Sequence, residues 1–400
     1  MKPRIIEFND INVAKKEMFA LGCCPDGIKI MAPKAISFAI KVYGITPTAA
    51  NIIKQEMLSY GGEAATAYGA INHSVKITDV LIIGSLKQFE LLIDKLQKHQ
   101  FGLPKVGEEI QNALKNYTEP KKAIKIGEKV FHLGKRTYIM GIVNVTPDSF
   151  FDGGKFFGAD KAVEQAEVML EEGADILDIG GESTRPGAKT VSLKEELGRV
   201  VPVIKKVLKN NKKAIISIDT RKSAVARAAL DAGASMVNDV SGLRFDPKMA
   251  KVAAEYKAAV CIMHCKGEPK NMQADPKYSD LMGEINAFFD AGLAIAKNAG
   301  ILLEKIILDP GLGFGKTVEH NLEIFRKLKE LKVFGCPVLI GPSRKAFIGK
   351  TLDLPVSERL EGTYACIAHS IVSGVDFIRV HDIKGNARVV KMIDAIVRRN

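Results

Sequence analysis

The sequence has no tryptophan, and aromatic residues make up only 6% of its 400 positions. It also contains no run of five or six basic residues, although its formal net charge is +12. Aromatic platforms and basic runs are common in nucleic-acid-binding proteins, so their absence argues against such a partner. An anionic small substrate explains a basic protein equally well. We therefore predict a protein that acts on small molecules and not on nucleic acid.

Long hydrophobic runs are missing too, and the mean hydropathy is only +0.04. No window approaches the ~18 uninterrupted apolar residues that a membrane span needs, so no membrane association is expected. The first ten residues, MKPRIIEFND, lack the apolar stretch of a secretory signal. The six cysteines contain no Cys-x-x-Cys pair, which indicates reduced thiols in a cytoplasmic protein. Cys261, His264 and Cys265 lie on a strand-like run whose side chains alternate between faces, so structural zinc is not expected.

Short apolar runs alternate regularly with amphipathic segments from residue 139 onward. The runs lie at 139–145, 175–180, 214–219, 235–240, 259–264, 305–309, 337–341 and 375–380. The amphipathic segments lie at 160–172, 193–210, 222–232, 278–299, 317–331, 357–373 and 384–399. Continuous apolar strands between helices indicate a parallel sheet that is buried on both faces. Eight such units favour an α/β fold of the (β/α)8 TIM barrel type over an open doubly wound sheet.

The residues before the barrel predict a separate small α+β domain. Thr46-Pro47 is typical of a helix start, and that helix is expected to end at Gly61-Gly62. A strand is predicted near 75–84, followed by a helix over 86–99. We assign residues 1–118 to this domain, whose role the sequence does not indicate, 119–138 to a linker and a hairpin that closes the N-terminal end of the barrel, and 139–400 to the barrel.

Polar side chains follow the predicted barrel strands at the end where this fold forms its active sites. They are Asn144, the loop after 175–180, Asp219, Asn238, His264, Asp309, Lys345 and Arg379 with His381. A single Asp or Asn there often caps the next helix, and this alternative applies to Asp219. Buried polar groups cost about 1–3 kcal/mol each unless they are hydrogen-bonded, so eight together indicate a bound ligand.

Two chemistries are combined at these strand ends. Asp309 and Asn238 offer an acceptor and a donor of the kind that bind a planar amino-oxo heterocycle. Arg379, His381 and Thr184 offer cations and donors for phosphate, with a place for Mg²⁺ near Asn144. The Gly-Lys-Thr triplets at 315–317 and 349–351 lack the earlier glycine of a phosphate loop, so nucleotide binding is not indicated.

Seven segments together resemble the dihydropteroate synthases, and the resemblance covers roughly residues 125–400. They are MGIVNVTPDSFFDGG (140–154), GGESTRPGA (180–188), SIDT (217–220), VNDVSG (237–242), DPGLGFGKTVEHN (309–321), GPSRKAFIG (341–349) and RVHD (379–382). The resemblance implies the condensation of (7,8-dihydropterin-6-yl)methyl diphosphate with 4-aminobenzoate, which yields 7,8-dihydropteroate and diphosphate for folate synthesis.

The resemblance also implies a role for each matching residue. The pterin is expected to contact Asp309, Asn238, Asp219 and Lys345, and the diphosphate is expected to contact Thr184, Arg379 and His381. The 4-aminobenzoate pocket is expected to include Phe314, Pro186 and Arg185, with Phe150 and Asp152 from the first loop. Asn144 is the expected Mg²⁺ ligand, and Asp219, Lys345, Asn144, Arg379 and His381 form the expected catalytic set.

The same resemblance implies a dissociative reaction and a homodimer. Diphosphate leaves first, and the neutral arylamine then attacks a cation that the pterin stabilises, so no strong general base is needed. The dimer is expected to form through the last helices, where residues 363–373 are apolar almost all round. A helix buried within its own barrel would give the same pattern.

The sequence departs from the family pattern at three places. Cys265 stands where Met is common, Ala346 stands where many members have Ser, and the first 115 residues are absent from compact members. Two rival functions remain: a methyltetrahydrofolate-dependent methyltransferase and a non-catalytic pterin-binding scaffold. The two Gly- and Pro-rich loops and the RVHD segment argue against the methyltransferase, which needs no site for diphosphate. A degenerate scaffold is expected to lose Asn144 or the Arg379-x-His381 pair, and this chain keeps both.

Overall fold

The computed structural model describes residues 2–8, 10–146, 155–183, 190–267 and 272–398. Within the helix that begins at residue 155, side chains are described from residue 158 onward. The chain divides into two compact units, of which one contains residues 1–120 with 333–335 and the other contains 121–332 with 336–400. No helix in the described ranges is long and apolar enough to cross a membrane.

The N-terminal unit contains a three-stranded antiparallel sheet and five helices in its described part. The strands are β1 (Ser37–Ile45), β2 (Glu63–Thr66) and β3 (Thr78–Ser85), in the order β1-β3-β2. The helices are α1 (Ile11–Ala20), α2 (Pro25–Met31), α3 (Pro47–Ser59), α4 (Leu86–Leu96) and α5 (Leu103–Thr118). One face of the sheet packs against α3, α4 and α5 to form a buried apolar core.

Local sequence explains how α3 and β3 form. The Thr46 hydroxyl accepts a hydrogen bond from Ala49 N at 3.3 Å, and Pro47 occupies the first turn, as the sequence predicts. Along β3 the side chains alternate, so that Val80 and Ile82 are buried while Leu81 and Ile83 are exposed on the other face.

The C-terminal unit is built on eight parallel strands. They are β6 (Tyr138–Asn144), β7 (Ile176–Gly180), β8 (Ile216–Asp219), β9 (Met236–Asp239), β10 (Ala259–Met263), β11 (Ile306–Asp309), β12 (Leu339–Ile340) and β13 (Phe377–Val380). Their order is β11-β10-β9-β8-β7-β6-β13-β12. A parallel bridge between Leu308 and Val338 joins the two ends of this order, so the sheet closes on itself. The predicted (β/α)8 barrel is confirmed.

Helices separate the barrel strands, as the sequence pattern predicts. They are α6 (Lys155–Glu171), α7 (Leu193–Asn210), α8 (Ser223–Asp231), α9 (Met249–Glu255), α10 (Leu281–Asn298), α11 (Val318–Lys327), α12 (Ala346–Leu352), α13 (Leu360–Val372) and α14 (Ile383–Val397). The α9 and α12 helices lie outside the seven amphipathic segments, because helices of seven residues are too short to show a helical period.

A hairpin covers the N-terminal end of the barrel. It consists of β4 (Ala123–Ile126) and β5 (Lys129–His132), which pair antiparallel. Its Phe131 is fully buried and packs edge-on against Tyr138, with 4.9 Å between ring centroids. Ile124 and Phe131 belong to one apolar cluster with residues from seven barrel strands and with Ile215, which directly precedes β8. Side chains of the hairpin and of the strands therefore fill this end of the barrel in the described part of the chain.

Candidate active site

Two buried carboxylates hold one arginine across the end of the barrel. Arg379 near the end of β13 donates from Nε to Asp178 Oδ2 at 2.6 Å and from Nη2 to Asp219 Oδ2 at 2.7 Å. Asp178 lies on β7 and is fully buried, while Asp219 ends β8 and is 7% exposed. Burial alone would lower the pKa of Arg379, but the two carboxylates outweigh it and raise that pKa. The guanidinium therefore remains charged and has a fixed orientation.

Asn238 at the end of β9 joins this network. Its Nδ2 donates to Asp178 Oδ2 at 2.9 Å, so one carboxylate oxygen binds both Asn238 and Arg379. Three oxygens beside this network have no partner among the described residues, and they are Asp178 Oδ1, Asp219 Oδ1 and Asn238 Oδ1. Buried acceptors without a partner cost free energy, so a ligand that donates hydrogen bonds would satisfy them.

Asp309 ends β11 and lies in the same group of charges. Its Oδ1 accepts a hydrogen bond from Gly311 N at 2.7 Å, and its side chain is buried. Burial raises the pKa of Asp309, and the charge of Lys345 opposes that rise. Burial also lowers the pKa of Lys345 to about 8, against the charge of Asp309. Lys345 donates from Nζ to Leu312 O, which fixes its amine beside the loop that follows Asp309.

Phe314, on the loop after β11, lies next to Lys345. The Lys345 amine is 4.7 Å from the centroid of the Phe314 ring, and both side chains are half-buried. A cation at this distance from an aromatic ring is attracted to the ring's negative face. The loop therefore brings an apolar face and an amine to the same side of the strand ends.

A buried lysine, Lys316, also contacts this loop. Lys316 is 3% exposed, and its Nζ contacts His264 Nδ1 at 2.8 Å, Gly311 O at 2.9 Å and Phe314 O at 3.1 Å. Burial lowers the pKa of His264 to about 2, so its ring is neutral and Nδ1 accepts from the amine. Gly311 has φ +66°, and a Cβ there would overlap the His264 carbonyl oxygen. Only glycine permits this close approach.

His381 follows β13 and contacts Ser343, which lies on the loop after β12. Its Nδ1 lies 3.0 Å from Ser343 Oγ, and its backbone N–H donates to the same oxygen at 3.3 Å. Arg344 binds both oxygens of Asp382, at 2.9 and 2.8 Å. These contacts fix the RVHD segment against the SRK segment.

The sequence-predicted residues fall into two groups. The structure brings together the strand ends that carry Asp219, Asn238, Asp309, Lys345, Phe314, Arg379, His381 and Asn144 at the C-terminal end of the barrel. Thr184, Arg185, Pro186, Phe150 and Asp152 lie outside the described residues. Asn144 ends β6 opposite Gly180 of β7, and no hydrogen bond joins its side-chain amide to another described residue.

Burial raises the pKa of Asp219 to about 7, and the neighbouring charge of Asp178 adds to that rise while Arg379 opposes it. Burial also lowers the pKa of Lys316 to about 7. Such shifts are typical of sites where charges are arranged for binding or catalysis.

Asp178 and Lys316 were missing from the sequence-predicted set. Asp178 lies inside the apolar run ILDIG, two residues before its end, and a lone acid within a buried strand is the signal that identifies it. In the sequence, Lys316 belongs to a Gly-Lys-Thr triplet that does not form a phosphate loop, and its burial depends on how the surrounding loop folds. Cys265, at a position where the family commonly has Met, is half-buried, and its Sγ lies 3.4 Å from Gly267 O. Ala346 begins α12 and is exposed.

Comparison with known proteins gives concordant results. A family model described as pterin binding enzyme matches residues 140–381. A dihydropteroate synthase from Synechocystis is 51% identical over 286 residues, which cover 71% of this chain and 98% of that relative. The crystal structure of a dihydropteroate synthase from Clostridium difficile, solved in the presence of pteroic acid, is 51% identical with a TM-score of 0.64. It is matched over 67% of this chain and 100% of its own.

One further relative also matches beyond the barrel. It is a probable bifunctional folylpolyglutamate synthase/dihydropteroate synthase from Halobacterium salinarum, 39% identical over 374 residues, which cover 93% of this chain and 44% of that relative. An alignment of this length is longer than the barrel unit, so it includes a large part of the N-terminal unit.

Proposed function

This chain belongs to the pterin-binding enzyme family as a dihydropteroate synthase of folate biosynthesis, and from that membership we propose which of its residues bind each part of the substrates. The family joins a pterin diphosphate to 4-aminobenzoate. The relative from Clostridium difficile was solved with pteroic acid, which contains both halves of the product. A site for this chain must therefore hold a heterocycle, a diphosphate and a benzoate ring side by side.

We assign the pterin-binding site from the buried hydrogen-bond acceptors at the ends of β8, β9 and β11. Asn238 Oδ1 and Asp219 Oδ1 have no partner among the described residues, and Asp309 is buried and interacts electrostatically with Lys345 and Arg379. A pterin presents ring N–H and NH₂ donors along one edge, so it supplies the hydrogen bonds that these oxygens need. Lys345 supplies the complementary donor for the oxo group or a ring nitrogen. The methyltetrahydrofolate of the rival methyltransferase would satisfy the same acceptors, but it has no diphosphate for Arg379 and His381 to bind.

Arg379 and His381 are suited to the diphosphate. Arg379 uses Nε and Nη2 on two carboxylates, which leaves Nη1 and the second Nη2 hydrogen for an anion. Charge that develops on the leaving diphosphate is stabilised by donors already held in place. Thr184, predicted to bind the same group, lies outside the described residues.

Magnesium is proposed to bind with the diphosphate at Asn144. In the described part of the chain no cluster of three His, Cys, Asp or Glu side chains forms a metal site. The side-chain amide of Asn144 makes no hydrogen bond to another described residue, and Mg²⁺ commonly takes few protein ligands together with phosphate oxygens and water. These features fit an ion that arrives with the substrate. When bound, Mg²⁺ neutralises charge on the leaving diphosphate.

The chain's own residues support a dissociative order of events. Loss of diphosphate leaves positive charge on the pterin, and the Asp219 carboxylate is the group proposed to stabilise that charge. The arylamine of 4-aminobenzoate is neutral near pH 7 and attacks without a strong base. Phe314 is proposed to cover the benzoate ring together with Arg185, Pro186, Phe150 and Asp152, which lie outside the described residues.

A product assay tests this function directly. Purified protein is mixed with the pterin diphosphate, 4-aminobenzoate and Mg²⁺, and dihydropteroate is detected by mass spectrometry. Product should form with the native chain and fall to background in Asp219→Ala and Lys345→Ala. Omission of Mg²⁺ should abolish product, which tests the metal separately. Tight pterin binding without product would instead favour the methyltransferase or the scaffold.

A homodimer is proposed to form through α13 and α14. Four apolar side chains on these two helices are exposed in the single chain: Val372, Met392, Ile396 and Val397. Grouped apolar exposure of this kind is typical of subunit interfaces. Sedimentation of Met392→Glu should show a monomer if this surface is the interface, whereas an unchanged dimer would exclude it. The predicted cytoplasmic location stays a prediction.

The N-terminal unit is proposed to act in assembly and not in catalysis. The Synechocystis relative is covered almost entirely by a 286-residue alignment, so an enzyme of this family exists without such a unit. In the Halobacterium relative the matching region belongs to a protein named for two folate enzymes, which supports contact with a neighbouring enzyme. A chain that begins at Lys121 should therefore keep its kcat. Loss of activity would place the unit in the reaction itself.

A further inference from the structure

A buried histidine contacts a buried lysine on the loop after β11, and neither belongs to the groups assigned to the substrates. His264 follows β10 and is 3% exposed, and its Nδ1 lies 2.8 Å from Lys316 Nζ. The His264 backbone N–H donates to Asp309 O at 2.8 Å, which joins this residue to the end of β11. Phe288 packs edge-on against the His264 ring, with 4.8 Å between centroids. The pair therefore has a fixed place beside the candidate active site.

The Lys316 amine binds two carbonyl groups of one turn. Its Nζ donates to Gly311 O at 2.9 Å and to Phe314 O at 3.1 Å. The Phe314 N–H donates to the same Gly311 oxygen at 3.2 Å. Lys316 therefore joins the two ends of the turn that carries the Phe314 ring.

The hydrogens of this amine match its partners in both protonation states. A protonated amine donates to the two carbonyl groups and to His264 Nδ1. When the amine is neutral, its remaining hydrogens serve the carbonyl groups, and the other tautomer of His264 donates from Nδ1 to the amine nitrogen. The contacts that hold the turn are thus available below and above the pKa of Lys316, which burial lowers to about 7.

The turn depends on these contacts more than the pterin acceptors do. Asp309 and Asn238 lie on β11 and β9, and the pairing of both strands with β10 fixes their backbone. Phe314 lies in no strand or helix, and the stretch PGLGFG around it contains three glycines. Glycine loses more conformational freedom on folding than any other residue, so such a turn needs contacts from other groups to adopt one conformation.

We propose that Lys316, acting through the carbonyl groups of Gly311 and Phe314, is a positioning residue for 4-aminobenzoate. The Phe314 ring lies 4.7 Å from the Lys345 amine, and that amine also donates to a carbonyl group of the same turn. Lys316 thus sets where the ring lies relative to Lys345. This inference rests on the proposed function, in which Phe314 covers the benzoate ring. Lys316 itself touches no substrate in this assignment.

Four variants test the proposal in the full-length chain. Lys316→Met removes every hydrogen bond of the amine. Lys316→Gln replaces it if the methionine variant does not fold, because its shorter side chain keeps a polar group in place but brings no amine to the two carbonyl groups. Phe314→Ala and the double variant Phe314→Ala/Lys316→Met complete a double-mutant cycle.

The matched control is Lys332→Met. Burial also lowers the pKa of Lys332, but this lysine interacts with Asp376, which directly precedes β13 at the N-terminal end of the barrel. Lys332→Met should change neither the kinetic constants nor hydrogen exchange at Phe314.

The readouts are kcat, KM for each substrate and hydrogen exchange at the Phe314 amide. We expect Lys316→Met to raise KM for 4-aminobenzoate about tenfold, since a small misplacement of a positioning group is costly. KM for the pterin diphosphate should change by less than about twofold, because Asp309 and Asn238 keep their strand pairing. The Phe314 amide should exchange faster. In the Phe314→Ala background, Lys316→Met should leave KM for 4-aminobenzoate unchanged, because the ring that Lys316 positions is absent.

Three results would overturn the proposal. Faster exchange at Phe314 with an unchanged KM for 4-aminobenzoate would show that the turn does not act on that substrate. An equal rise in this KM with and without the Phe314 ring would show that Lys316 acts by another route. An equal rise in KM for both substrates would show a general structural role. A native chain that makes no dihydropteroate would instead refute the proposed function, so the two failures are distinguishable.

Discussion

Two substitutions of Asp178 distinguish the effect of its charge from the effect of its hydrogen bonds in the candidate active site. Its Oδ2 accepts from Arg379 Nε at 2.6 Å and from Asn238 Nδ2 at 2.9 Å. In Asp178→Asn the amide oxygen takes the place of Oδ2 and keeps both hydrogen bonds, but the charge is lost. In Asp178→Ala both hydrogen bonds are lost, and the Asn238 amide is left without an acceptor.

The expected losses follow from the kinds of contact involved. A hydrogen bond to a charged group contributes about 1.5–3 kcal/mol, compared with about 1 kcal/mol for a neutral one. Asp178→Asn should therefore lower kcat/KM for the pterin diphosphate about tenfold, which corresponds to about 1.4 kcal/mol. Asp178→Ala breaks a buried pair, which costs about 3–5 kcal/mol, although Asp219 still holds Arg379. Its kcat/KM should fall by at least about a hundredfold.

The pH dependence of kcat/KM gives an independent check. The charge of Asp178 contributes to the raised pKa of Asp219, which burial brings to about 7. Removing that charge lowers the pKa of Asp219, so its carboxylate persists at lower pH. The acid limb of the kcat/KM profile should therefore shift to lower pH in Asp178→Asn.

The matched control is Asp175→Asn at the start of the same strand. Asp175 binds Arg136 with both oxygens, but at the opposite end of the barrel from Asp178. This variant should lower Tm and leave kcat/KM unchanged. The reasoning is refuted if Asp178→Asn shifts the acid limb upward or leaves it in place, or if Asp175→Asn lowers kcat/KM equally.

Three further predictions concern single residues. Asp309→Ala should abolish pterin binding in calorimetry, because it removes a buried acceptor of the ring donors, and retained affinity would contradict the assignment. Lys316→Met should flatten the rise of Tm between pH 7 and 9. The folded pKa of Lys316 is lowered to about 7, so the native chain gains stability as pH rises above that value, and an unchanged slope would exclude this effect. Gly311→Ala should destabilise the chain by about 3 kcal/mol or more in denaturant unfolding, because positive φ and overlap with the His264 carbonyl add together. Gly313→Ala shares the positive φ but meets only Lys345 Cδ at 3.4 Å, so equal losses would show that backbone strain alone is responsible.

The barrel was predictable because its strands are buried on both faces and so form continuous apolar runs. The predicted run 337–341 shortens to Leu339–Ile340 in the structure, since Pro337 cannot donate to a neighbouring strand. The N-terminal unit was less predictable. Its β1 strand is only partly buried, and α5 begins after Gly102 without a side-chain cap, so neither gives a strong local signal.

The strand-end residues of the site were predictable for a different reason. In a parallel barrel the ends of all strands meet at one rim, so a polar residue at each end identifies the site without any knowledge of register. The contacts between them depend on register and on distances across the barrel. The pairing of Arg379 with Asp178 therefore required the folded chain.

The pairing of Arg379 with both Asp178 and Asp219 also has a consequence for folding during synthesis. Arg379 lies 201 residues after Asp178 and 160 after Asp219. Synthesis proceeds from the N-terminus, so a nascent chain completes β7 and β8 long before it contains the guanidinium that compensates their carboxylates. Until β13 emerges from the ribosome, Asp178 and Asp219 lack the counter-charge that Arg379 supplies in the folded chain. The last strand thus makes the network of Asp178, Arg379 and Asp219 a property of the completed chain.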